Sequence, residues 1–357
     1  MESNKTDETR PAESSGDAIA TSAGKCLLAI SDQERSMFLP EDLFQELKQT
    51  VGEIKHVQPQ TLSDVAWPQL LQEFGPDVVI GAWSTKPIPE DIPVESGPLK
   101  YYCGLTGSVR RKIARSLIER GLHVTNWGTS ISRTIAESAL MMILGCLRRT
   151  SHWHEVMHHE RGWHKHPENE GQFSLFERRV GIRGFGRISR ELVLLLKPFN
   201  VKVSTFSSVP ESLLREYDVS RASSMEDLFS GNDIIVELAA LTDRTRHSVT
   251  EELLRMIPQD GVFVNVGRGA VVDEAALARV AREGRVRIAL DVYEKEPLPK
   301  DSPLRGLNRA ILMPHQAGPT PDRMRDSGAL AVANVRQFLA GNPLEGVVDL
   351  QGYDQMT

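Results

Sequence analysis

Three segments in the last quarter of the chain carry residue types that could hold a carboxylate and move a proton. In F-V-N-V-G-R-G-A-V-V-D-E, Arg268 stands between two glycines that leave its guanidinium reachable. In A-L-D-V-Y-E-K-E-P-L, Asp291 ends an apolar run and Glu296 follows in a polar loop; in L-M-P-H-Q-A-G-P-T, His315 comes just after another apolar run. A guanidinium can hold a carboxylate and a carbonyl at once with several donors. An imidazole titrates in the range suited to protonating a developing alkoxide, and a carboxylate on its other ring nitrogen would orient it. Taken singly these are an exposed arginine, a loop acid and a loop histidine. Their order behind a second motif gives them weight.

That second motif is V-G-I-R-G-F-G-R-I-S, in which Gly184-x-Gly186-x-x-Ser189 ends a predicted strand and opens a predicted helix. The first glycine of such a loop makes a tight turn and the second lets backbone approach a pyrophosphate; the third position must be small. Serine is small but polar, so the match is imperfect. The free N–H groups of the helix start would hold phosphates, with Arg187 adding charge. About twenty residues on, where an acid normally reads the ribose 2′-hydroxyl, the chain has Ser207 and Ser208, with no carboxylate and no neighbouring arginine.

A competing constellation is histidine-rich. Six of the ten histidines fall between His152 and His166, and His154-Glu155-Val156-Met157-His158 matches H-E-x-x-H, with His164 where a third zinc ligand would stand. On a helix His154 and His158 would share a face. The glycine such a zinc site needs at 161 is Arg161, and local histidine bias makes chance matches common. The expectation is a solvated helix end and no metal.

The elements that must position these residues alternate. Predicted strands at 25–30, 54–57, 76–81, 99–103 and 123–126 are interleaved with predicted helices at 40–51, 63–74 and 109–121. A long apolar-rich helix is predicted over 132–152. Strands at 178–186, 201–206, 232–238, 261–266, 287–292 and 310–314 follow, with a last helix at 321–340. Such alternation means βαβ units and parallel sheet. Two series predict an α/β protein of two doubly wound domains.

The chain has 357 residues, 40% of them hydrophobic, a net charge of -6 and a pI near 6.0. That length is enough for about two domains. The charge offers no global attraction to nucleic acid or anionic membrane. The longest apolar run, Ala139 to Leu147, is about half of what spans a bilayer. Cys26, Cys103 and Cys146 form no C-x-x-C pair, which fits a reducing, cytoplasmic compartment. Residues 1–24 carry five acids and no aromatic, and read as a disordered tail.

With T-I-A-E-S-A-L (134–140), N-V-G-R-G-A-V-V-D-E (265–274), A-L-D-V-Y-E-K-E-P (289–297) and P-H-Q-A-G (314–318), the chain resembles the D-isomer-specific 2-hydroxyacid dehydrogenases over almost all of 25–345. The resemblance implies a Rossmann-type NAD(P)-binding domain (127–315) inserted into a flavodoxin-like substrate domain (25–126 and 316–357). It also implies a homodimer built on an arm at about 132–170. Arg268, Glu296 and His315 would be catalytic. Gly184, Gly186, Arg187, Ile188, Ser207, Val266, Arg268, Asp291, His315 and Gly318 would bind NAD or NADP. Leu105, Thr106 and Gly107, in a loop less glycine-rich than the family's, would hold a small 2-oxo or 2-hydroxy acid with Arg268 and His315. Trp83, Tyr102, Leu105 and Trp127 are pocket walls or core. The alternatives are a dinucleotide-sensing interaction protein like the corepressors that share this fold and, more distantly, a zinc hydrolase using His154 and His158.

Overall fold

A computed structural model describes residues 24–163, 171–354 and 356; the expected tail and His164 lie outside the described residues, Gly24 apart. One parallel sheet holds Lys25–Ala29 (β1), Glu53–Val57 (β2), Val78–Gly81 (β3), Tyr101–Gly104 (β4) and His123–Thr125 (β5), in the order β2-β1-β3-β4-β5. The other holds Arg179–Arg183 (β6), Lys202–Phe206 (β7), Ser220–Arg221 (β8), Ile234–Glu237 (β9), Gly261–Asn265 (β10), Val286–Leu290 (β11) and Ala310–Leu312 (β12). Its order is β12-β11-β10-β9-β6-β7-β8. The first order is the flavodoxin-like one; the second is the Rossmann order with one strand added.

Both sheets are covered on both faces, as their unbroken apolar strands require. Alternation along β1 shows this: Cys26 and Leu28 enter one core, Leu27 and Ala29 the other. The helix Met324–Leu339 packs on the helices Asp32–Phe38 and Glu41–Thr50 and on β4, so the chain's end returns to the first sheet.

The predicted 132–152 helix is broken. Ser132–Arg148 is one α-helix, Arg149 is left-handed at φ 56, Thr150–His154 is a short helix and Glu155–His159 a π-helical turn. The last carbonyls of the long helix are taken from outside: Arg287 of β11 donates to Cys146 O at 3.0 Å and Phe173 N to Leu147 O at 3.0 Å. The predicted 109–121 helix shrinks to Arg115–Glu119, because Ile88 N takes the Lys112 carbonyl at 2.8 Å. Among the described residues no helix is long and apolar enough to cross a membrane.

Candidate active site

His315 follows β12 and is left-handed, at φ 54, a conformation uncommon for a side-chain-bearing residue. Asp291, at the end of β11, holds it there: His315 N donates to Asp291 O at 2.9 Å, and the Asp291 carboxylate accepts Gln316 N at 2.7 Å and Ala317 N at 2.8 Å. Asp291 is buried, and with one backbone N–H on each oxygen its carboxylate shapes the histidine's turn. The ring is half exposed, and its Nδ1 lies 2.7 Å from Glu296 Oε2. Glu296 Oε1 accepts Tyr293 N at 3.0 Å, so the carboxylate is itself anchored. A carboxylate accepts, so Nδ1–H donates, and Nε2 is left to exchange a proton with whatever lies in the cleft.

Arg268 leaves β10 through a turn tied by Asn265, whose Nδ2 donates to Arg268 O at 3.0 Å and whose Oδ1 accepts Gly267 N at 3.0 Å. Arg268 Nη1 donates to Gly267 O at 2.8 Å, which leaves four of its five N–H groups for a ligand. Burial lowers this guanidinium from its ordinary value and the Glu296 charge opposes that, which puts Arg268 in the same electrostatic neighbourhood as the His315–Glu296 pair. Three strand ends of one sheet thus converge a cation, an acid and an imidazole. Asn265 and Tyr293 escaped the sequence reading, since neither belongs to a charge pattern.

At the glycine loop, Gly184 sits at φ 83 and a Cβ there would come within 3.0 Å of Leu238 O; only glycine fits both conditions. A Cβ on Gly186 would stand in open space, the space a diphosphate would take at the start of Arg187–Leu196. Ser189 is buried and its hydroxyl donates to Gly184 O at 3.0 Å, so serine ties down the turn instead of merely being small. Arg187 is exposed beside Glu191 at 3.6 Å. Ile188 is half-buried against the core, Val266 is buried in it and Gly318 is half-buried.

Beyond β7, the Ser207 hydroxyl is shielded from solvent and has no hydrogen-bond partner among the described residues. The expectation that no arginine stands near it is overturned. Arg221 on β8 donates through Nη1 to Ser207 O, through Nη2 to Val209 O at 2.6 Å and through Nε to Glu211 Oε2 at 3.0 Å. The open cradle at Gly186 and the waiting Ser207 hydroxyl fit a bound dinucleotide.

The substrate-domain loop is corrected in part. Leu105 is fully buried, its N–H donates to Gly81 O at 2.8 Å and its carbonyl accepts Ser327 Oγ at 2.9 Å, so Leu105 has nothing left for a substrate. Thr106 O and Gly107 O are bonded to Trp127 N and Asn126 Nδ2, at 3.3 and 2.7 Å. The amides of Thr106, Gly107 and Ser108 have no acceptor among the described residues. Tyr102 is core; Trp83, half exposed, stacks on Phe38, and half-buried Trp127 lies against Gly107.

His154 and His158 are exposed, with ring centroids 4.7 Å apart, and His159 is 4.0 Å from Glu155. Among the described residues no group of three or more histidine, cysteine or acidic side chains is placed to hold a metal.

Residues 140–317 match the model of the D-isomer specific 2-hydroxyacid dehydrogenase NAD binding domain. The chain is 32% identical over 235 residues to a glyoxylate/hydroxypyruvate reductase of Arabidopsis thaliana, covering 65% of this chain and 70% of the relative. It belongs to the D-isomer-specific 2-hydroxyacid dehydrogenases. A D-3-phosphoglycerate dehydrogenase of Methanocaldococcus jannaschii is 27% identical over 320 residues; the match covers 89% of this chain and 59% of the relative's length. The solved D-lactate dehydrogenase of Lactobacillus jensenii with NAD+ shares the fold of this dehydrogenase, at TM-score 0.75 and 20% identity, covering 91% of this chain and 99% of that one. These relatives bear out an NAD(P)-dependent oxidoreductase and lend no support to the interaction-protein or zinc-hydrolase readings.

Proposed function

We propose that this dehydrogenase interconverts a small 2-oxo acid and its D-2-hydroxy acid at the cleft where Arg268, Glu296 and His315 converge. The 2.7 Å contact between His315 Nδ1 and Glu296 Oε2, with Nε2 left without a partner among the described residues, carries the reading. Arg268 holds the substrate carboxylate and polarises its carbonyl, and the open amides of Thr106, Gly107 and Ser108 support the same carboxylate from the other domain. His315 Nε2 gives its proton to the carbonyl oxygen as the alkoxide develops, and Glu296 steadies the imidazole through that charge change. The nicotinamide, when bound, supplies or accepts the hydride. The names of the relatives, a glyoxylate/hydroxypyruvate reductase and a phosphoglycerate dehydrogenase, favour a short substrate.

Either dinucleotide fits this reading. Ser207 stands where an acid would repel a 2′-phosphate, and Arg221 keeps one unengaged N–H group beside it, while Glu211 offsets part of that attraction. A homodimer is supported by exposed Met141, Leu194 and Leu195 on two helices that pack together, Ser132–Arg148 and Arg187–Leu196. A cytoplasmic home is supported by the buried, unpaired Cys26, Cys103 and Cys146.

The test is turnover of glyoxylate, hydroxypyruvate, pyruvate and phenylpyruvate with NADH and with NADPH, with chiral analysis of the product. Reduction to the D-isomer is expected. Dinucleotide binding without reduction of any of the four would contradict it.

A further inference from the structure

The second sheet reverses its winding between β6 and β9, with β7 and β8 on one side and β10 to β12 on the other. Open α/β sheets hold ligands at such a switch point. The paired last residues of these two strands are Arg183 and Glu237. Their side chains are 7% and 0% exposed, and Arg183 Nη1 lies 3.0 Å from Glu237 Oε2. The pair is extended on both sides: Arg183 Nη2 donates to Ser248 Oγ at 2.7 Å, and Glu237 Oε1 accepts Ala239 N at 2.9 Å.

Such a pair is a poor way to gain stability, because desolvating two charges roughly cancels their attraction. What it does fix is geometry. The next residue after Arg183 is Gly184, whose missing Cβ would lie 3.0 Å from Leu238 O and 3.1 Å from Ala239 N; Leu238 N in turn donates to Arg183 O at 3.0 Å. The phosphate-side turn and the segment leaving β9 are therefore in van der Waals contact, with the ion pair directly beneath. If one charge is removed, the other is left buried and unpaired, which draws water in and parts the two strand ends.

We propose that Arg183 and Glu237 are positioning residues for the dinucleotide, setting the spacing between the Gly184 turn and the Leu238–Ala239 segment across the switch point. They touch no reacting atom; they act through the backbone that does the holding. The proposal rests on the dehydrogenase reading above, and its test separates the two.

The variants are Glu237→Gln, which keeps shape and loses charge, and Arg183→Met with Glu237→Leu together, which removes both charges and stays foldable. NADH and NADPH affinities are read from nicotinamide fluorescence, alongside Tm, the KM for dinucleotide, the KM for the 2-oxo acid, and kcat. The expected result is binding of both dinucleotides weakened about 10-fold or more in each variant, the scale of a small misplacement. The dinucleotide KM should rise in parallel and the 2-oxo acid KM should stay near wild type, with the double variant's Tm also close to wild type. Wild-type dinucleotide affinity in the double variant would overturn the proposal and leave the pair a packing feature. A wild-type protein that itself binds neither dinucleotide would overturn the dehydrogenase reading first, and the proposal with it.

Discussion

His315 Nδ1 and Glu296 Oε2 meet at 2.7 Å, nineteen residues apart, across a left-handed turn held by Asp291. The contact decides which ring nitrogen faces the cleft, since a carboxylate can take only the N–H. The acid of the pair has its own anchor in Tyr293 N, so the imidazole is aimed by a chain of two hydrogen bonds ending on backbone.

Glu296→Gln tests that chain. A glutamine can present its amide N–H to Nδ1, which favours the tautomer with the proton on Nε2 and removes the carboxylate that balances the imidazolium's charge. The expected outcome is a fall in kcat on the order of 10²-fold, with the KM for dinucleotide little changed. Steady-state kinetics with saturating dinucleotide measures it. An unchanged kcat would mean that Glu296 does not orient the histidine.

Cofactor choice is the second test. Wild-type protein should use NADPH at least comparably to NADH, because Ser207 accepts either ribose and Arg221 adds charge. Ser207→Asp should turn the ratio of kcat/KM values toward NADH and Arg221→Ala should do the same. A charge-assisted bond is worth about 1.5–3 kcal/mol, which is roughly 10- to 10²-fold in the ratio. Both shifts should shrink at high salt, where screening weakens an exposed charge pair. A wild-type enzyme strongly selective for NADH, indifferent to Arg221→Ala, would show that another residue reads the ribose.

The parallel strands, the glycine loop and the triad were legible because each is written in a short stretch: an apolar run, a turn residue, a chemistry-bearing side chain at the strand's end. The parts missed depend on residues far apart in the chain. Arg221 lies fourteen residues after Ser207 and reaches it only because the two-residue strand β8 pairs with β7. At the break at Arg149, the carbonyl of Cys146 is met by Arg287, well over a hundred residues later in the chain. Leu105 looked like a pocket residue beside Thr106 and Gly107, but the turn after β4 sends it into the core. One local signal went unread: Ser31 and Glu34 form a capping box, with Ser31 Oγ accepting Glu34 N and Glu34 accepting Ser31 N, and it opens the helix Asp32–Phe38.

If His315 is the proton donor for reduction of a 2-oxo acid, His315→Gln should remove that proton and little else. Turnover of the best 2-oxo acid should be followed for wild type and variant with saturating NADH and NADPH, beside dinucleotide affinity by fluorescence. The expected result is kcat lowered by roughly 10²- to 10⁴-fold and dinucleotide affinity within about twofold of wild type, since a half-exposed side chain can change without disturbing the glycine loop. A variant that turns over at the wild-type rate would contradict it.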